Sequence, residues 1–131
     1  MNALQRGSET IWGEADSVKP LRGIPAWHVE TPSHGGYAVD PTWAKDNLSP
    51  ESLAPVLPEE FGYVWFEEDC NWVLPVLDNA EFADAAVWEW RPTSSPEQHE
   101  DDVEVHDVLA RRTASNWHAE FLALVDARKE A

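Results

Sequence analysis

Cations are scarce in this sequence of 131 residues: nine lysines and arginines stand against 25 aspartates and glutamates, a formal net charge of −16. A chain so short of positive charge repels a phosphate backbone, which disfavours direct DNA or RNA binding through a basic patch. The same field attracts basic surfaces, including those that normally hold nucleic acid. Cysteine occurs once, at Cys70, so no internal disulfide can form, and a reducing, cytoplasmic setting is the expectation. No uninterrupted apolar run approaches the ~18 residues that cross a bilayer. Residues 1–6 lack the apolar core of a signal peptide, so neither a membrane nor export is expected. The chain also lacks internal repeats, low-complexity tracts and any composition break that would divide it.

What is present is unevenly spread. Residues 1–50 carry six acids and four bases, whereas residues 51–131 carry nineteen acids and five bases. Tryptophan occurs eight times. Each indole brings a large apolar area and one hydrogen-bond donor, so a bulky core or a surplus of surface aromatics is expected.

Local patterns predict a single α+β domain. Residues 1–9 are polar and expected to fray. Thr10–Gly13 opens a first strand that Ser17-Val18 closes, and Lys19–Gly23 reads as a turn. Ile24–Glu30 alternates, with Ile24, Ala26 and His28 on one face and Trp27 and Val29 on the other; Pro25 favours an edge position. Thr31–Gly36 is a tight loop into a third strand, Tyr37-Ala38-Val39, which Asp40-Pro41 ends. Ser49-Pro50-Glu51 has the cap, the proline and the acid of a helix start, and Pro55 and Pro58 keep that helix short. Phe61–Phe66 reads as a strand. Asp69 is placed to cap a helix holding Trp72, Val73, Val76 and Leu77, with Pro75 kinking or truncating it; a strand is the alternative. Residues 79–91 are weakly helical and residues 92–102 read as a loop. From Val103 the spacing is helical through Val125, divided near Ser115 or Asn116, with Arg128 and Lys129 where cations suit the helix dipole. The expected architecture is a small antiparallel sheet over residues 10–66, packed with short helices and a C-terminal amphipathic helix.

Two stretches concentrate chemistry. Thr31-Pro32-Ser33-His34-Gly35-Gly36 holds the one Gly-Gly pair, and Glu67-Glu68-Asp69-Cys70-Asn71-Trp72 holds the cysteine beside three carboxylates. These motifs, with Trp12-Gly13, Gly23-Ile24 and Pro75, resemble an uncharacterised bacterial domain family associated with plasmids, integrative elements and phages. The resemblance implies a mobile-element context and no chemistry. Ala80–Trp90 and the acidic run after Pro96 depart from its pattern.

Three chemistries are weighed from the residues. Cys70 is a candidate nucleophile with His34 as base and Asp69 or Glu68 orienting or acting electrostatically, but carboxylates beside a thiol raise its pKa and weaken it. His34, Glu67, Glu68, Asp69 and Cys70 offer mixed metal ligands, as do His99 and His106 with the acids between them; neither set has a paired ligand spacing, and no metal or other cofactor is expected. Gly35-Gly36 lacks the following cation of a phosphate loop. The third chemistry needs no reaction. Glu97, Glu100, Asp101, Asp102, Glu104 and Asp107, joined by Glu59, Glu60, Glu67, Glu68 and Asp69, form a negative surface dense enough to imitate a nucleic acid. The leading expectation is therefore an acidic, non-enzymatic module that binds a basic protein surface, as an anti-CRISPR or other anti-defence inhibitor of a mobile element would. The alternative is a small enzyme or metal protein centred on His34 and Cys70.

Overall fold

A computed structural model describes residues 4–130 of the chain. The fold is α+β. A minimal hairpin of β1 (Glu9–Thr10) and β2 (Gly13–Glu14) precedes a four-stranded antiparallel sheet. That sheet runs β3 (Ser17–Pro20), β4 (Ala26–Glu30), β5 (Gly35–Val39), β6 (Val64–Glu67), each strand beside its predecessor. Between β5 and β6 the chain makes α1 (Pro41–Asn47), α2 (Pro50–Leu53) and a 3-10 turn, Ala54–Val56. After β6 come α3 (Val73–Asp78), α4 (Ala80–Trp90), α5 (Pro96–Trp117) and α6 (Ala119–Glu130). No helix among the described residues is long and apolar enough to cross a membrane.

Period-two alternation gives the sheet two covered faces. Ala26, Val39, Val64 and Phe66 join the main core against the helices. Val29, Ala38 and Trp65 point the other way, into a second cluster with Ala15 and Tyr63 that Trp12, Val18 and Trp27 cover. The expected facing of β4 is therefore seen, and both faces being buried explains why so short a sheet absorbs so many aromatics.

Helix starts follow local side-chain chemistry. Asp40, Ser49, Asn79 and Ser95 each accept a hydrogen bond from a backbone N–H of the first turn, and proline follows three of them. Such caps satisfy donors that the helix itself leaves free. Asp78, whose side chain is only 2% exposed, closes the far end of α3: it accepts from Ser49 N (2.6 Å), Ser52 Oγ (3.1 Å) and Arg128 Nη1 (2.7 Å). One carboxylate thus ties α2, α3 and α6 together.

Several local expectations are corrected. Of the stretch 1–9 expected to fray, residues 1–3 lie outside the described residues, and residues 4–9 are held: Gly7 N donates to Ala15 O at 2.8 Å and Ala15 N to Ser8 O at 2.9 Å. The first strand is two short elements, and Pro20 belongs to β3. Pro25 lies just before β4, which is central and not an edge, so the missing N–H costs no ladder bond. Asp40-Pro41 does not merely end a strand; it starts α1. Asp69 caps nothing: α3 begins after Trp72 with no side-chain cap, and Pro75 sits in its first turn, where its lost donor would have had no partner anyway. The loop assigned to 92–102 ends at Ser95, because Pro96 opens α5. The break in the last helical stretch falls at His118, two residues beyond Asn116.

Candidate functional site

The two sequence motifs meet at one end of the sheet. Gly36 pairs with Glu67 across β5 and β6, and Glu68 N donates to Gly35 O at 2.8 Å. The approach is close enough that only glycine fits. A Cβ on Gly35 would stand 2.8 Å from both the Val29 carbonyl and the Glu68 carboxylate, and one on Gly36 would overlap the Phe66 carbonyl. The loop before them is closed by Thr31, whose Oγ1 donates to His34 O (2.6 Å) and accepts from His34 N (3.1 Å). Thr31, and not the His34 ring, therefore satisfies the loop backbone.

Successive residues of the second motif go to opposite sides. Glu67 points to the outer face beside His34, with Nδ1 to Oε1 at 3.7 Å. His34, Glu67 and Asp69 bring one ligand atom each within 4.8 Å of one another. This imidazole and two carboxylates suit a hard or borderline divalent ion with open positions. Cys70 is not in that group. Burial, then the charge of Glu67, pushes its thiol up, which leaves less thiolate to attack or ligate. Its histidine neighbour is His118, which reaches the Cys70 backbone and bonds Asn71 Oδ1 at 3.0 Å. No direct hydrogen bond joins His34 to Cys70 among the described residues.

Glu68 points to the helix side and lines a cavity of about 240 Å³ between the sheet and helices α4 and α5. The row His28–Tyr37–Phe66 runs across β4, β5 and β6 on this face. His28 Nδ1 is hydrogen-bonded to Glu89 of α4, and its Nε2 lies 3.9 Å from Glu30. Burial alone would lower the His28 pKa, but the bond to Glu89 and the surrounding carboxylates outweigh it and raise it. Tyr37, half-buried in the cavity lining, has its phenol pushed well above its ordinary value by burial and then by the charge of Glu89. Trp72 and Trp90 form the walls, with His106 of α5 between them at ring distances of 5.2 and 5.5 Å. Burial lowers the His106 pKa, partly opposed by Asp107, so this imidazole stays neutral. A larger groove of about 570 Å³ between α3, α4 and α5 is lined mainly by aliphatic side chains such as Val76, Val87 and Val108. Both carry titratable groups, Asp84, Glu104, Asp107 and Lys129 among those of the larger groove, but the aromatic rings converge in the smaller cavity.

The acidic run divides. Glu97, Glu100, Asp101 and Glu104 are exposed along one side of α5, and among the described residues none of them forms an ion pair. Asp107 is held by Arg111 at 2.9 Å, which also reaches Asp126 at 2.6 Å. Asp102 is not part of the surface. It is 1% exposed and accepts from Gln98 Nε2 (2.9 Å), Ser94 Oγ (2.7 Å) and Arg91 Nη1 (3.1 Å); the Gln98 and Ser94 bonds, then the Arg91 charge, hold its carboxyl below the usual range. His99 and His106 also face inward, so they do not form a metal site with the acids between them. His99 stacks on Trp88 at 3.8 Å and donates to Asp84 at 2.6 Å. Glu59 and Glu60 are exposed beside the 3-10 turn, away from α5 in sequence.

Sequence reasoning missed the cavity. Glu89, Trp90 and Trp72 sit in stretches read only for apolar periodicity. One signal was available: His28 occupies an inward strand position, and a polar group there demands a partner from another element. A family model for a domain of unknown function, DUF7007, matches residues 5–129. No curated protein and no solved structure matches the chain.

Proposed function

Because the chain belongs to the DUF7007 family, whose description assigns no activity, the reading must come from its own residues, and we propose an acidic protein-binding module that occupies a basic, nucleic-acid-binding surface of a partner. The observation that carries this is the outward side of α5. Glu97, Glu100, Asp101 and Glu104 follow one another at helical spacing and form no ion pair among the described residues, and Asp107, paired with Arg111, extends the row. At 1.5 Å rise per residue, Glu97 to Asp107 covers about 15 Å, or one carboxylate per ~4 Å. Phosphates along one strand of a duplex recur every ~3.4 Å, so a groove that accepts that strand meets a similar charge density here. Glu67 and Glu68 add negative charge at the end of the sheet. In its finer form the proposal is an anti-defence inhibitor, such as an anti-CRISPR protein, carried by a plasmid or phage and acting in the bacterial cytoplasm. Support for that context is the resemblance of the two motifs.

Capture from a bacterial lysate tests the reading, comparing the wild type with a variant carrying Glu97→Gln, Glu100→Gln, Asp101→Asn and Glu104→Gln. The expected result is a captured protein that duplex DNA displaces, that high salt releases and that the variant fails to retain. Equal capture by the variant, or capture unchanged up to about 1 M salt, sinks the reading.

A second reading rests on His34, Glu67 and Asp69 as a divalent-ion site. Calorimetric titration with Mn2+ or Zn2+ should give a single site that His34→Ala removes; heats unaltered by that substitution would discard it.

A further inference from the structure

We propose that the cavity between β4, β5, α4 and α5 receives a guanidinium group, presented as an arginine side chain of the basic partner. That the arginine comes from a protein rests on the reading of α5; the chemistry of the cavity stands without it.

Charge is the first argument. Around His28 lie Glu30, Glu68 and Glu89, with Lys19 opposite His28 in β3, so three carboxylates stand against one imidazole and one lysine and the carboxylates are in excess even when His28 is protonated. Among the described residues no lysine or arginine pairs with any of the three. Glu89 is committed to His28, whereas Glu68 is exposed at the cavity rim and bonds no side chain. An anion would be repelled, whereas a cation gains a charge-assisted hydrogen bond from the free Glu68 carboxylate.

Shape is the second. The rings of Trp72, Trp90 and Tyr37 line the cavity, and cations bind over such rings. A volume of about 240 Å³ falls below the ~300–1,000 Å³ of pockets for drug-sized ligands, so the occupant is one side chain and not a cofactor. Guanidinium is favoured over ammonium because it is planar, stacks on aromatic rings, is weakly hydrated and meets a carboxylate through two parallel N–H bonds. The chain already uses this pairing twice. Arg91 lies 4.2 Å over the ring of Trp90, and Arg22 lies 4.5 Å over Trp88. Arg91 is bound to Asp102 and does not line the cavity, so it does not occupy the place of the incoming group.

The experiment follows the indole N–H signals of Trp72 and Trp90 by NMR, assigned with Trp72→Phe and Trp90→Phe, during titration with N-acetyl-arginine amide. Saturable shifts with half-saturation on the order of 1 mM are expected. The isosteric neutral N-acetyl-citrulline amide should leave both signals in place. Glu68→Gln should weaken binding by about tenfold or more, as loss of a charge-assisted pair does. The variant neutralised on α5 should bind the probe within about twofold of wild type, which separates the cavity from general attraction to a negative protein. Equal shifts with the citrulline probe, or an undiminished affinity in Glu68→Gln, overturn the proposal. Free arginine provides the remaining arm: blocked arginine binding at least as well supports a protein side chain, while free arginine binding about tenfold tighter overturns that source in favour of a small metabolite. Failure of the probe leaves α5-dependent capture untouched, and failure of capture leaves probe binding untouched, so the two readings fail separately.

Discussion

Alanine at position 36 would place a Cβ against the Phe66 carbonyl and 2.9 Å from the Trp12 ring, on a backbone with φ of 155°. The obstacle is backbone and cannot rotate away. We expect Gly36→Ala to cost about 3 kcal/mol, read from the urea midpoint, because β5 and β6 must separate locally. A cost near zero would mean the strands pair less closely than described. Two histidines set a pH optimum. The His28 pKa is raised above ~6.5, so the stability it contributes is complete below that pH and is lost as pH rises through the folded value. The His106 pKa is lowered by burial, so its contribution is complete above ~6.5 and is lost as pH falls through its depressed value. His118, also lowered by burial, acts in the same direction as His106. The histidine-dependent stability should therefore peak near pH ~6.5. Denaturant midpoints across pH should show Glu89→Gln flattening the alkaline side and His106→Phe reducing the acid side.

At the scale of elements, α5 shows what pattern reading can and cannot recover. Ser95-Pro96-Glu97 repeats the cap, proline and acid of Ser49-Pro50-Glu51, and both start helices. The second reads as loop because Pro92-Thr93-Ser94-Ser95-Pro96 is dense in turn residues, and because the inward face of the first turns of α5 is written in the polar His99 and Asp102. A hydrophobicity pattern does not register such a face. Ser95→Ala should cost about 1 kcal/mol through loss of the cap to Gln98 N. Asp102→Asn should lower the urea midpoint more than Glu100→Gln does, since Asp102 is buried among three donors and Glu100 is exposed without an ion pair. Similar effects of the two would show that the Arg91–Ser94–Gln98 cage holds nothing together. The sheet, by contrast, was legible from alternation, and the loop of β5 from its glycines. α1 was not read because Asp40-Pro41 was taken as a strand end, although the same two residues are a cap and a first-turn proline.

For the whole molecule, a net charge of −16 opposes compaction, and Arg111 and Arg128 relieve it by each bridging two acids from different parts of the chain. Raising ionic strength from about 0.01 to 0.15 M should therefore raise the melting temperature as repulsion is screened. A melting temperature that falls with salt would mean attractive pairs outweigh the surplus. Composition alone determined the sign of this field and the absence of an internal disulfide and of an apolar span. Nearest neighbours in sequence determined most helix starts and the alternation of β4. Only the tertiary structure decided that Glu67 and Glu68 serve opposite faces and that Asp102 leaves the acidic surface. It alone brought Glu89 to His28, 61 positions away. Local propensity acts over a few residues, whereas a contact across 61 depends on strand register and helix docking. Both are fixed by burial of the core around Phe66 and Phe82, and no short window of sequence contains it.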